Sequence, residues 1–172
     1  SYLQYTYVPA PMSIYENIFK LLPGHLLEID RSSKKNLNHS PLQYWSLSNH
    51  VKKGQSEMIT DETTAINELE SLLSQSIKSQ MISDVPLGAF LSGGIDSSLI
   101  VALMQKESMK PIKTFTIGFE DVDYDESPYA QGVASHLNTD HHTLIVSETE
   151  TQAVIPLLGD MYDEPFADSS QI

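Results

Sequence analysis

The sequence predicts an α/β protein in which helices flank a parallel sheet, preceded by a small segment that contains a hairpin. Three observations predict this class. From residue 85 onward, strand-like and helix-like patterns alternate. A helix-length apolar stripe precedes them, between residues 61 and 81. The first strand-like run ends in two adjacent glycines and continues as a helix. Parallel strands need crossover connections, so this alternation indicates right-handed strand–helix–strand units.

Composition limits the classes of function. The chain of 172 residues can hold one domain with a core, or one domain and part of another. Its formal net charge of -13 argues against nucleic acid or an anionic membrane as a partner. The lack of cysteine excludes disulfides, thiolate zinc sites and a cysteine nucleophile within these residues. No apolar run reaches the roughly 20 residues that span a bilayer, and no signal-peptide pattern is visible, so we expect a cytoplasmic protein.

Residues 1–50 differ from the rest. Ser13 is expected to begin a short helix, and residues 25–30 and 42–47 are expected to form a hairpin. This segment is too small for its own core, so we interpret it as the edge of a neighbouring domain. Trp45 is expected to be a packing anchor between parts of the protein, with ligand stacking as the alternative. Residues 50–56 are expected to be a polar linker.

A long amphipathic helix is expected next. Thr60 or Asp61 would cap it, and its first turn is acidic. We expect this helix to pack on a core through its apolar stripe. The stripe consists of Ile66, Leu69, Leu73, Ile77 and Met81.

Residues 85–101 predict a strand, a tight loop and a helix start. The apolar run 85–91 suits a strand covered on both faces. Ser92, Gly93 and Gly94 then break the run, and the helix extends to about Glu107. Glycines allow close approach of a ligand, and a helix N-terminus presents free N–H groups to an anion. We therefore expect this loop to hold a phosphate.

Further strands and helices follow. Residues 112–119 predict a second strand, and Ser127 with Pro128 predicts a helix start in which Ser127 is the N-cap. The acidic residues 120–126 between them do not fit a calcium-binding EF-hand. A loop that began at Asp121 would need glycine at its sixth position and glutamate at its twelfth, and those positions are Glu126 and Gly132. These acids are interpreted as a solvated loop that favours the next helix.

The last predicted strand is residues 141–146. His141 and His142 would point to opposite faces of it, so they are not expected to share a metal. Ser147 and Glu150 form a potential capping box for a helix that Pro156 would interrupt.

The phosphate loop has a distinctive pattern. No lysine follows Gly94, so it is not a Walker A loop, and the spacing of its glycines excludes the dinucleotide fingerprint and the serine-hydrolase elbow. Residues 92–98 and 118–125 both follow strands, so they should lie at the carboxyl edge of the sheet, where ligands bind. Backbone N–H groups and the hydroxyls of Ser92, Ser97 and Ser98 would hold a pyrophosphate or a terminal phosphate, and Asp96 would hold Mg²⁺. The alternative is a Gly-Gly turn whose Asp and Ser residues only cap the helix.

Residues 85–98 resemble the pyrophosphate loop of the glutamine-dependent asparagine synthetases, and the resemblance extends over nearly the whole chain. It implies a Rossmann-like, adenine nucleotide α-hydrolase-like fold. Residues 1–50 would be the C-terminal edge of a glutaminase-like domain, and 51–172 the first part of a truncated synthetase domain. The other matching segments, in family order, are residues 7–11, 22–25, 115–119, 124–127, 141–142 and 163–170.

The resemblance implies an amide-forming ligase. Such enzymes use ATP and Mg²⁺ to adenylate the side-chain carboxylate of aspartate, releasing pyrophosphate, and ammonia from glutamine then gives asparagine. A homodimer of the full-length protein is a further expectation. By position in the family motif, Asp96 would bind Mg²⁺, and Gly118 would belong to the ATP site. The residues implied to line the adenine and ribose pocket are Leu91 and Ile117, and those implied to hold the β,γ-phosphates are Ser92, Gly93, Gly94, Ser97 and Ser98.

The chain also departs from the family pattern. It has no N-terminal cysteine nucleophile and no later S-G-x-G-x-D-E loop, and both ends look cut. The family's later loop supplies catalytic groups, so the main catalytic residues are expected beyond Ile172, the last residue of the chain. We therefore expect a fragment that is inactive in isolation, with ammonia supplied by a glutaminase domain outside it. Alternatives are a related amidotransferase or β-lactam-type synthetase that acts on another carboxylate, and a non-catalytic nucleotide-binding module.

Overall fold

The computed structural model describes residues 2–29, 40–121 and 125–168. The chain divides into two compact units, one made of residues 1–58 with 153–172 and the other of residues 59–152. The helices and strands, in chain order, are α1 (Tyr2–Tyr5), β1 (His25–Leu26), β2 (Leu42–Gln43), α2 (Leu47–Ser56), α3 (Glu62–Gln80), β3 (Gly88–Phe90), α4 (Ile95–Glu107), β4 (Lys113–Phe119), α5 (Ser127–Leu137), β5 (Asp140–Val146), α6 (Glu148–Val154), a 3-10 turn (Ile155–Leu157) and α7 (Leu158–Met161).

The first unit contains the expected hairpin, although its strands are short. β1 pairs antiparallel with β2, and residues 30–39 lie outside the described part of the chain. The helix expected from Ser13 is wrong. The Ser13 hydroxyl instead donates to the carbonyl of Ile18 at 2.7 Å and accepts from the N–H of Tyr15 at 3.1 Å. Met12 and Phe19 close this turn with an antiparallel bridge. Serine bonds its neighbouring backbone here in place of a helical hydrogen bond.

The linker expected at residues 50–56 is also wrong, because α2 covers it. The Ser46 hydroxyl caps this helix by accepting from the N–H of Asn49. No residue of α2 is buried, so its polar composition suits a solvent-exposed helix as well as it suits a linker. Trp45 stacks on His50 with ring centroids 5.4 Å apart, which is a packing contact within this unit.

The second unit confirms the α/β class. Its three parallel strands lie in the order β3-β4-β5, with Phe90 beside Phe115 and Phe115 beside His142. Helices α3, α4 and α5 supply most of one hydrophobic core. The core residues are Ile77, Leu91, Val101, Leu103, Met104, Ile112, Ala130 and Ala134.

Only the C-terminal part of the α3 stripe packs as expected. Ile77 is buried and Leu73 and Met81 are partly buried, but Ile66 and Leu69 are more than half exposed. The partner helix α4 has 13 residues against 19 in α3. At 1.5 Å per residue, α3 therefore extends about 9 Å beyond the length that α4 can cover.

The expectation that the first strand is covered on both faces is wrong among the described residues. Phe90 is 79% exposed while the next residue, Leu91, is 1% exposed. β4 alternates in the same way, with Thr114 and Thr116 buried and Phe115 exposed. Strands in sequential order with crossovers of one hand place the connecting helices on the same face of the sheet. That geometry leaves the other face without a helix from the described residues of this unit.

The end of the described chain largely follows the sequence pattern. Ser147 and Glu150 form the capping box, since the Ser147 N–H donates to Glu150 Oε2 at 2.9 Å and the Glu150 N–H donates to Ser147 Oγ at 3.3 Å. Pro156 lies in the 3-10 turn that separates α6 from α7. Among the described residues, no helix is long and apolar enough to cross a membrane.

Candidate functional site

The glycine loop lies at the carboxyl edge of the parallel sheet, between the end of β3 and the start of α4. Gly93 has φ +81°, a conformation that favours glycine. A Cβ at this position would lie 2.7 Å from the backbone nitrogen of Ala130 and 2.7 Å from the Cβ of Tyr129. The loop therefore rests directly on the first turns of α5, and glycine is required by both the backbone and the neighbouring helix.

Serine hydroxyls organise the loop from inside. The Ser97 Oγ accepts from the Ser92 N–H at 3.2 Å and lies 2.9 Å from the Ser92 Oγ. The Gly94 N–H donates to the Ser92 Oγ at 3.3 Å. The Ser98 Oγ is buried and has no hydrogen-bond partner among the described residues. A buried hydroxyl without a partner costs free energy, and this atom has almost no accessible surface here.

The N-terminus of α4 is open. Its N-cap is Gly94, and no side chain caps the first turn. Asp96 lies exposed in this turn and brings the one acidic side chain there. The free N–H groups and the helix dipole favour an anion, while a carboxylate beside them is a ligand suited to Mg²⁺.

Leu91 supports the loop from below. Its N–H donates to the carbonyl of Phe115 at 2.9 Å, and its carbonyl accepts a short hydrogen bond from the Thr116 hydroxyl. Ile117 is half exposed and lies on the other face of β4 from Thr116. The structure thus brings the residues 92–98 together at one edge. The nucleotide-lining roles of Leu91 and Ile117 stay predictions.

Asp125 holds the neighbouring loop against the end of β4. Its carboxylate accepts from the N–H and from the hydroxyl of Ser127, each at 3.0 Å. These bonds, together with one from the Phe119 backbone, hold the pKa of Asp125 below its usual value. A Cβ at Gly118 would lie 2.8 Å from Asp125 Oδ1, so Gly118 makes room for this carboxylate. Its role in ATP binding stays a prediction.

The N-cap of α5 differs from the expectation. Glu126 is the N-cap residue and Ser127 is the first helical residue, so the assignment of Ser127 as N-cap is wrong. The acids of this loop do favour the helix, since Asp125 bonds its first turn. Residues 122–124, which belong to the acidic loop 120–126 and include the first residue of the matching segment 124–127, lie outside the described part of the chain. No cluster of three or more potential metal-binding side chains occurs in residues 2–29, 40–121 and 125–168.

The two histidines of β5 face opposite sides of the sheet, as expected. His141 Nδ1 lies 2.9 Å from the hydroxyl of Thr114, a buried residue. The His142 ring stacks on Phe115 at 5.4 Å. Burial lowers the pKa of His141, with a smaller contribution from the charge of His142.

The last four residues of the chain, which include Ile172, lie outside the described residues. Part of the predicted 163–170 segment falls there too, and the structure describes it only as far as residue 168. The expectation that the main catalytic groups lie beyond Ile172 stays a prediction. The site residues that the structure describes are those proposed to bind ATP and Mg²⁺.

Two features of the site were missed by sequence reasoning. Thr116 supports the carbonyl of Leu91, and its polar side chain within an apolar strand was the available signal. Ala130 allows the loop to approach α5, and only its small size, three residues after Ser127, pointed to such a contact.

Comparisons with known proteins identify the family of the chain. A family model described as asparagine synthase matches residues 68–172, which is more than half of the chain. A putative asparagine synthetase [glutamine-hydrolyzing] 2 of Methanocaldococcus jannaschii is 37% identical over 170 residues, covering 98% of this chain and 31% of that protein. Asparagine synthetase [glutamine-hydrolyzing] 1 of Bacillus subtilis is 30% identical over 171 residues, covering 99% of this chain and 25% of that protein.

A solved structure, the NH3-dependent NAD synthetase from Campylobacter jejuni, is 17% identical with a TM-score of 0.38, and the match covers 62% of this chain and 43% of that one. The chain spans less than a third of the length of the two curated relatives above. Because the family model matches most of the second unit and continues to Ile172, the chain belongs to the asparagine synthase family.

Proposed function

We propose that the complete protein is an ATP-dependent ligase that makes asparagine from aspartate, with ammonia supplied from glutamine. The chain would provide the part that binds the phosphates of ATP. The open N-terminus of α4 at the carboxyl edge of the sheet is the observation that carries this proposal. Membership of the asparagine synthase family and the names of the relatives support it.

The loop suits the β,γ-phosphates of ATP. Gly94 has φ -71°, so its conformation does not require glycine. A Cβ there would lie 3.3 Å from the Ser92 hydroxyl, so a side chain at this position would crowd a hydroxyl proposed to hold the phosphate. The unpartnered Ser98 hydroxyl and the exposed hydroxyl of Ser92 add donors. Asp96 would hold Mg²⁺, which binds through one or two carboxylates together with substrate phosphates.

The reaction needs two displacements. An oxygen of the aspartate side chain bonds to the α-phosphorus while the bond to pyrophosphate breaks, and ammonia then displaces AMP from the acyl carbon. Donors at the loop would stabilise the negative charge that develops on the leaving pyrophosphate. Mg²⁺ would neutralise part of the same charge. Residues 1–50 would be the edge of the glutaminase-like domain and 51–172 part of the synthetase domain of a cytoplasmic enzyme.

Two substitutions in the complete protein test the site. For Asp96→Asn we expect loss of kcat/KM of roughly 100-fold, because a Mg²⁺ ligand is removed. For Gly94→Ala we expect ATP affinity to fall by about tenfold with the fold intact, since the new Cβ would meet only the Ser92 hydroxyl, at 3.3 Å. Gly132→Ala is the matched control, because no atom lies within 4 Å of its Cβ position.

The assay is pyrophosphate release with aspartate and ammonia or glutamine, and calorimetric titration of ATP with Mg²⁺. A complete protein that releases no pyrophosphate with aspartate contradicts the proposed reaction. Release with a different carboxylic acid would assign the activity to a related amidotransferase or β-lactam-type synthetase. Binding of ATP without any turnover would indicate a nucleotide-binding module.

A further inference from the structure

Within the first unit, one lysine joins the N-terminal segment to the last described segment. The Lys20 ammonium donates to the carbonyl of Val8 at 2.5 Å and forms a short ion pair with Glu164 Oε1. A backbone hydrogen bond links the same two segments, since the Ala167 N–H donates to the carbonyl of Thr6 at 2.7 Å. Residues 6–20 and 164–167, far apart in the sequence, are therefore held together by a charge pair and a backbone hydrogen bond.

The surroundings of Glu164 make this ion pair sensitive to substitution of either residue. Its second oxygen, Oε2, is buried and has no hydrogen-bond partner among the described residues. Lys20 therefore supplies the main compensation for a partly buried negative charge. Removing one member of such a pair costs more than the pair contributes, because the remaining charge is left unpaired.

The positions of Lys20 and Glu164 in the chain point to a functional role for this pair, and that role rests on the proposed function. Lys20 lies in the segment assigned to the glutaminase-like domain, and Glu164 lies in residues 163–170, a segment assigned to the synthetase domain. We propose that Lys20 is a positioning residue that fixes the 163–168 segment against the N-terminal segment, so that ammonia released in one domain is used for amide synthesis in the other.

A role of Lys20 in the transfer of ammonia predicts a result that simple destabilisation of the fold does not. Ammonia added to the solution does not need the alignment of the two segments, whereas ammonia from glutamine does. Loss of the ion pair between Lys20 and Glu164 should therefore lower glutamine-dependent synthesis more than ammonia-dependent synthesis. A displacement of about 1 Å can change a rate by 10- to 100-fold, so we expect the ratio of the two activities to fall by about tenfold.

The experiment uses the complete protein with Lys20→Met, Lys20→Arg and the double variant Lys20→Met with Glu164→Gln. The double variant removes both charges, so it leaves no unpaired carboxylate and should fold where the single variant does not. Lys20→Arg keeps the charge and should retain the coupling. Lys53→Met is the matched control, because Lys53 pairs with Glu57 on the exposed side of α2 in the same unit.

The readouts are asparagine formed with glutamine, asparagine formed with ammonia, and glutamate formed per asparagine. We expect the double variant to hydrolyse glutamine with excess glutamate release and to keep its ammonia-dependent rate, while the Lys20→Arg and Lys53→Met variants behave as the unmodified protein. Equal loss of both activities, or an unchanged ratio in the double variant, would overturn the positioning role. A protein without ammonia-dependent synthesis before any substitution would instead refute the proposed function.

Discussion

Replacing Gly93 by alanine tests the packing of the candidate site on α5. The backbone at Gly93 has φ +81°, which costs a residue with a Cβ about 1–2 kcal/mol. The Cβ would also lie 2.7 Å from the backbone nitrogen of Ala130 and 2.8 Å from the backbone carbon of Tyr129. Backbone atoms of a helix cannot rotate away as a side chain can, and overpacking of this kind typically costs about 1–3 kcal/mol. We expect the free energy of unfolding to fall by about 3 kcal/mol.

Thermal unfolding of the 172-residue chain measures this effect. A loss of about 3 kcal/mol corresponds to a decrease in Tm of about 6–12 °C for a chain of this size. Gly132→Ala is the control on the same helix, because its Cβ position is open. That substitution should stabilise the chain by about 0.5–1 kcal/mol through helix propensity.

A third variant separates the two causes. Asparagine tolerates positive φ better than alanine but also carries a Cβ. If the contact with α5 dominates, Gly93→Asn destabilises as much as Gly93→Ala, and if backbone strain dominates it destabilises less. An unchanged Tm for Gly93→Ala, with the control shifted as expected, would refute the close approach of the loop to α5.

Two further predictions concern the elements that support the loop. Leu91→Ala should lower the free energy of unfolding by about 2–5 kcal/mol because it empties a core position, whereas Met109→Ala, at an exposed position after α4, should change it by less than about 0.5 kcal/mol; similar values in urea denaturation would contradict the placement of Leu91 in the core. Asp125→Asn should destabilise the chain at pH 7, because hydrogen bonds from Ser127 lower the folded-state pKa of Asp125 below the ordinary 3.8. This contribution is fully present above the ordinary pKa and disappears as the pH falls through the lower folded-state value, so a difference between the two proteins that persists unchanged at low pH would contradict it.

Local patterns predicted most elements of the second unit. The alternation of apolar runs and turn residues after residue 85 placed β3, α4, β4, α5 and β5 in order, and α4 ends at Glu107 as expected. Periodicity worked because each strand or helix buries one side of its own surface. It failed for α2, where no residue is buried, and for the turn at Ser13, where a side chain replaces the helical bonding pattern.

Burial of whole faces was less predictable. The α3 stripe indicated a helix correctly, but its first two apolar positions, Ile66 and Leu69, are exposed because α4 is shorter. Likewise, the apolar run before Gly93 indicated a strand, but the exposure of Phe90 depends on which face the neighbouring helices cover. A sequence pattern shows that a surface is apolar, and the lengths and positions of its neighbours decide whether it is covered.

By itself, the sequence determined the α/β class, the glycine loop between strand and helix, and the expectation of a phosphate site at residues 92–98. These follow from local chemistry: two glycines, three hydroxyls and a helix start within one short stretch. Only the tertiary structure showed that Gly93 is confined by Ala130, that Asp125 is bound over Gly118, and that Lys20 pairs with Glu164. These contacts join residues of different elements and loops, and they depend on how the elements pack rather than on any periodicity within one of them.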